Sequence, residues 1–176
     1  MTRYFKIIIM IGILTLLAFP ARGEDKILQV RGSDTIVNLV QRLAEVYSAK
    51  NPGEQVSVTG GGSGTGIAGL RNRTVDIADS SRSMFQREIV DMKAKGVDPV
   101  STIIGIDCVT LIVNEKNKVD KLTIAQLGGI FRGEVKSWKE VGGDDMPVTL
   151  YGRQSNSGTY EVFKEFAEDN NGSIAG

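Results

Sequence analysis

The sequence predicts an α/β fold with a mainly parallel sheet, and two observations carry that prediction. From Ile27 onward, short apolar runs alternate with helix-patterned stretches. Three turns rich in Gly, Ser and Thr then lead from an apolar run directly into a helical pattern: Gly32-Ser33-Asp34-Thr35, Gly62-Ser63-Gly64-Thr65 and Ser157-Gly158-Thr159. The composition, 41% apolar and 24% charged over 176 residues, is that of a soluble globular chain with room for one domain or two small lobes.

Ile27 to Val30 reads as the first strand, ending in the turn at 31–34. Ile36, Leu39, Val40, Leu43 and Tyr47 then recur at helical spacing on one face, and Asn51-Pro52-Gly53 stops that helix. Val56 to Thr59 alternates as a second strand, followed by the glycine loop at 60–66 and a short helix from Ile67 to Asn72. Val75 to Ala78 reads as a third strand. Ser83 to Gln86 has the form of a capping box, opening a helix that Gly96 ends. Val100 to Ile104 and Cys108 to Val113 read as further strands, with Cys108 as a packed core residue. Thr123 to Gln126 is a second capping box, before a helix reaching about Phe131. Val148 to Tyr151 reads as a strand, Arg153 to Ser157 as a turn, and Thr159 to about Glu168 as a helix with Val162, Phe163 and Phe166 inward.

The N-terminus has the form of an export signal. Arg3 and Lys6 precede an apolar run from Ile7 to Phe19, and Ala21-Arg22-Gly23 offers small residues for cleavage. The run is shorter than the roughly 20 residues a membrane span needs. No cysteine follows it, so it is not a lipoprotein signal, and the mature chain is expected outside the cytoplasm and not embedded in a membrane. Cleavage after Gly23 would remove three basic residues of 21 and leave all 21 acidic ones, a net charge of −3. A net-negative chain must bind an anion by local geometry.

Composition also excludes chemistry. No histidine is present, so Ser-His-Asp catalysis and histidine zinc sites cannot be built. Cys108 is the only cysteine, which leaves no intramolecular disulfide and no thiolate cluster. No metal and no cofactor are expected, and a net charge of zero recommends no nucleic-acid partner.

The three turns carry the functional reading. At the carboxyl edge of a parallel sheet, helix N-termini present unpaired N–H groups and the positive end of the helix dipole. Glycine admits an anion close to the backbone, and each hydroxyl adds a donor. Any one turn taken alone reads as an ordinary N-cap. Arg153, four residues before Ser157, adds a guanidinium fork matched to phosphate oxygens.

Gly64 to Gly69 also fits the G-x-G-x-x-G of dinucleotide sites, with Asp79 beyond. The intervening helix is short for a crossover, and the acid comes 15 residues after Gly64 instead of about 20. No lysine follows the loop as a Walker A motif requires, and Thr65 stands where G-x-S-x-G needs its second glycine.

Five stretches together resemble the phosphate-binding receptors of ABC phosphate importers, members of the type II periplasmic binding protein fold. They are 30–35, 59–69, 74–82, 106–114 and 153–159, in family order along nearly the whole mature chain. The resemblance implies two lobes with mainly parallel sheets: a signal peptide at 1–23, a first lobe at 24–111, and an incomplete second lobe at 112–176. It implies that Ser33, Thr35 and Ser63 donate from the first lobe, with Ser81 and Arg82 at its rim. Arg153, Ser157, Gly158 and Thr159 would contribute from the second, around inorganic phosphate delivered to permease subunits.

Many family members have a carboxylate where Ser81 stands, accepting the proton of monohydrogen phosphate. Asp34 is the replacement candidate here, with Asp79 behind it and helix capping as the rival role for Asp34. Family members also continue well beyond the position of Gly176, so a C-terminal truncation is expected. A receptor for another oxyanion is the alternative within the binding class. An exported phosphate-ester enzyme is the alternative outside it, although it would need a nucleophile with its base, or a metal.

Overall fold

The computed structural model describes residues 27–168. The expected signal peptide lies outside the described residues. Three strands, β1 (Leu28–Gly32), β2 (Val56–Thr59) and β3 (Ile77–Asp79), form one parallel sheet in the order β2-β1-β3. The register runs from Leu28 beside Val56 to Arg31 beside Thr59 on one side. On the other it runs from Val30 beside Ile77 to Gly32 beside Asp79. Because all three strands run the same way, the segments that leave Gly32, Thr59 and Asp79 emerge together at one edge. That edge carries the site.

The helices are α1 (Val37–Lys50), α2 (Ser63–Arg71), α3 (Gln86–Ala94), α4 (Ile124–Phe131) and α5 (Gly158–Glu168), with one 3₁₀ turn at Trp138–Val141. α1 packs on β2, α2 covers β1 and β3, and α4 packs on α5. Val30, Ile67 and Met92 form the buried core of the first group. Leu127, Ile130 and Ala167 are buried in the second, where the rings of Phe131 and Phe163 meet edge to face at 4.6 Å.

Several elements depart from the sequence reading. α2 starts at Ser63, so its first turn is made from the glycine loop itself. Gly66 permits this, because a Cβ there would meet the carbonyl of Arg31 on β1. α1 turns Val37, Val40 and Ala44 toward the sheet and leaves Leu39, Leu43 and Tyr47 about half exposed. A three-stranded sheet covers only a narrow stripe of the helix.

α3 is capped at Phe85, whose N–H donates to Glu88, and not at Ser83. The Thr123–Gln126 capping box and the stop at Gly96 are as predicted. On α5, Phe163 faces inward, but Val162 and Phe166 are exposed and Ala167 takes the buried position.

The predicted strands at 100–104, 108–113 and 148–151 do not form. Val100, Ile103, Ile106 and Ile112 are 85–98% exposed, and Cys108 is exposed rather than packed. Near Val148 there is a single antiparallel bridge between Ser137 and Pro147. The local β propensity is present, but a strand exists only with a ladder partner, and the described residues place none beside these segments.

Candidate functional site

Each of the three turns fixes its polar groups differently. In the first, between β1 and α1, the Ser33 N–H donates to the carbonyl of Asp79 at 3.0 Å, and Ser33 Oγ accepts from the Thr35 N–H at 3.2 Å. Asp34 does not cap α1, whose N-terminus has no side-chain cap. Its Oδ1 accepts from the Gly61 N–H at 2.7 Å. Its Oδ2 accepts from Gln154 Nε2 at 3.0 Å and lies 3.5 Å from Arg153 Nη2. The uncapped N–H groups of α1 therefore stay available at the sheet edge.

In the second turn, Gly62 has φ +92°, a left-handed conformation that side chains resist, and α2 again begins without a side-chain cap. Ser63 Oγ accepts from the Ser81 N–H at 3.1 Å and lies 3.3 Å from Ser81 Oγ. Since α2 starts at Ser63, the G-x-G-x-x-G run at 64–69 lies inside a helix. A dinucleotide fingerprint needs its first glycines in the strand-to-helix turn, so the structure argues against that reading.

In the third turn, Ser157 Oγ caps α5 by accepting from the Tyr160 N–H at 3.3 Å. Gly158 sits so close to the first group that a Cβ there would collide with Ser63 Oγ and Ser81 Oγ. Thr159 Oγ1 lies 2.9 Å from Thr35 Oγ1. All three turns therefore meet in one place, with Ser33, Ser63 and Ser157 each at most 1% exposed.

Sequence reasoning placed Arg82 with these residues. The structure turns it to Glu88, with two 2.8 Å bonds to that carboxylate, and stacks its guanidinium 4.1 Å from the centre of the Phe85 ring. Burial alone would raise the Glu88 carboxyl, but bonds from Arg82 and the Phe85 N–H hold it below the usual range. No sequence signal marked Glu88 beyond its place on a helix. Arg82 instead braces the 80–82 turn: its N–H donates to Ser80 Oγ and its carbonyl accepts from that hydroxyl.

Asp79 is buried at the end of β3, and among the described residues neither of its carboxylate oxygens has a well-formed hydrogen bond. Burial pushes its carboxyl above the ordinary range. Its own N–H and that of Ser33 oppose this, and the neighbouring Asp34 adds to it. A cavity of about 440 Å³ lies between α2 and α3, and none of the clustered hydroxyls lines it. At the cluster itself, the third turn packs directly on the other two.

The arrangement offers six hydroxyls, those of Ser33, Thr35, Ser63, Ser81, Ser157 and Thr159, with two helix N-termini that lack side-chain caps, although the Gly64 N–H of α2 donates to the Asn156 carbonyl, and one guanidinium held by Asp34. This is a donor-rich environment, suited to the oxygens of a small oxyanion.

Comparison with known proteins gives a consistent picture. Residues 20–175 match the PBP superfamily domain. The phosphate-binding protein PstS of Bacillus subtilis is 35% identical over 152 residues, which cover 85% of this chain and 49% of that protein. The protein of the same name from Pseudomonas aeruginosa PAO1 is 33% identical, covering 84% of this chain and 50% of that one. The chain thus spans about half the length of the curated relatives it matches. Among solved structures, a Clostridium perfringens protein with bound phosphate superposes with a TM-score of 0.69 at 29% identity, over 81% of this chain and 56% of that one. An ABC-type phosphate transport receptor from Vibrio cholerae gives 0.67 at 29% identity, over 85% and 60%.

Proposed function

The chain belongs to the PBP superfamily, and we propose that its three turns hold inorganic phosphate outside the cytoplasm for delivery to the permease subunits of an ABC importer. The observation that carries this reading is the meeting of three hydroxyl-bearing turns and Arg153 at one sheet edge. The ligand set is Ser33, Thr35, Ser63, Ser81, Arg153, Ser157, Thr159 and the N–H of Gly158. Residues 24–111 and 112–176 supply the two sides, and residues 1–23 direct export.

Two of the candidates act at one remove. Asp34 holds Arg153 and Gln154, which fixes the guanidinium in the cradle, and Arg82 braces the Ser80–Ser81 turn through Glu88. The relatives are named as binding proteins, and with no histidine in the sequence no serine here has a histidine base.

Calorimetry with phosphate tests the reading. Arg153→Ala should weaken binding by about 2–4 kcal/mol, the loss expected for a charged donor to an anion. Binding equal to the parent's would remove Arg153 from the site. Tighter binding of sulfate than of phosphate would favour the receptor for another oxyanion.

A further inference from the structure

The three turns present neutral donors, and both guanidinium groups named at them so far face carboxylates. Arg153 Nη2 lies 3.5 Å from Asp34 Oδ2, and Arg82 makes two 2.8 Å bonds to Glu88. The field of a matched pair falls off steeply, as a dipole's does. Hydroxyls and backbone N–H groups are dipoles too, so they hold an anion at contact and draw it weakly from a distance. After cleavage at Gly23 the chain would carry a net charge of −3, so an anion would approach against the field of the whole molecule.

One guanidinium beside the turns is unmatched. The alternation of β1 puts Val30 and Gly32 into the core and leaves Arg31 exposed, one residue short of the strand's carboxyl end. Its guanidinium lies alongside the glycine loop: a Cβ at Gly61 would stand 3.9 Å from Arg31 Nε and 4.0 Å from its Nη2. The N–H of the same Gly61 donates to Asp34 Oδ1 at 2.7 Å, so Arg31 flanks the loop to which the Asp34–Arg153 pair is tied. Among the described residues, the Arg31 side chain enters no ion pair and no hydrogen bond.

We propose that Arg31 is a steering residue: an uncompensated positive charge at the rim of the cradle that speeds capture of the oxyanion without joining the ligand set. The inference rests on the phosphate reading above. An ordinary solvated arginine would affect neither binding rate, and a further ligand would slow dissociation. Steering acts on association, depends on charge rather than on the guanidinium fork, and fades with salt. The screening length drops from about 30 Å at 0.01 M to about 3 Å at 1 M.

The experiment is a titration of the full chain with inorganic phosphate at ionic strengths of about 0.01 M and about 1 M, for the parent, Arg31→Gln and Arg31→Lys. Line shapes of the Thr35 and Thr159 amide signals give both rate constants. At low salt, Arg31→Gln should lower the association rate constant about threefold and leave dissociation within about twofold. At high salt the two proteins should associate alike. Arg31→Lys keeps the charge and loses the fork, so it should follow the parent at both. The Leu28 N–H, which bonds to Gln55 in the sheet, reports whether β1 is intact. If Arg31→Gln disturbs that signal, Arg31→Lys still decides, because slower association with the charge kept would overturn the steering.

Unchanged association in Arg31→Gln, or a difference that survives high salt, would also overturn it. Faster dissociation with association intact would move Arg31 into the ligand set and overturn it equally. If phosphate left the amide signals of all three turns still in the parent, the phosphate reading would fall and the steering with it. Every other failure leaves that reading standing.

Discussion

Gly158→Ala places one methyl group where the structure has no room for it. The added Cβ would meet Ser63 Oγ and Ser81 Oγ at far less than an ordinary contact distance; the two hydroxyls lie 3.3 Å apart, and Ser63 Oγ also accepts from the Ser81 N–H. Ser63 Oγ cannot retreat without breaking its bond from the Ser81 N–H, so the third turn itself must lift. Ser157, Thr159 and Arg153 all ride on that turn. Hydrogen bonds to a charged ligand contribute about 1.5–3 kcal/mol each, so the loss of two of them should cost about 3–6 kcal/mol, or roughly two to four orders of magnitude in phosphate affinity. The sheet is untouched, and overpacking at such a site should lower overall stability by only about 1–3 kcal/mol. Calorimetry with phosphate, paired with a thermal melt, separates the two effects. Affinity within a factor of three of the parent's would show that Gly158 is not packed between the serines in the binding form, and the steric reasoning would fail.

Three further outcomes follow from the side chains around the site. Asp79 has a raised carboxyl, so folding favours its protonated form: its stability contribution is fully present below its ordinary pKa of 3.8 and is lost as pH rises through the folded value. Asp79→Asn should therefore melt like the parent in acid and above it at about pH 7, and equal melting temperatures at both would refute an unpaired buried carboxylate. Glu88→Gln strips the charge partner from the nearly buried Arg82 and should cost about 3 kcal/mol of stability at neutral pH. Because the Glu88 carboxyl is held low, that difference should vanish as pH falls through its folded pKa; a pH-independent difference would contradict the pairing. Cys108, expected from sequence to be packed and found exposed, should react with a thiol reagent in the native chain as fast as in denaturant, and strong native protection would restore the packed reading.

The turns were more legible in the sequence than the strands of the later half, for a physical reason. Turn chemistry is local, and the Gly/Ser/Thr runs at 32–35, 62–65 and 157–159 mark the starts of α1, α2 and α5 from their neighbours alone, although α2 begins earlier than expected, at Ser63. The strands β1, β2 and β3 were legible because each is short, apolar and bounded by turn residues. The segments at 100–104 and 108–113 carry the same local signal, yet no ladder forms, since pairing is a property of two segments and periodicity reads only one.

The same limit explains Arg82, whose partner Glu88 depends on how the 80–82 turn folds back on α3. It also explains Asp34. From sequence, capping and ligand contact were the two roles in view, and the observed one, holding Arg153 and Gln154 more than a hundred residues away, is visible only in three dimensions. Asn156 left no sequence signal beyond being a turn residue.

Three turns, distant in sequence, are proposed to form one oxyanion cradle. A titration of the full chain with inorganic phosphate, followed by backbone amide chemical shifts, tests it most directly. The N–H signals of Ser33 to Thr35, Ser63 and Ser81, and Ser157 to Thr159 should all move along one common binding curve, while those of the exposed 100–113 segment stay still. Shifts confined to a single turn, or separate curves for the first and third turns, would contradict it.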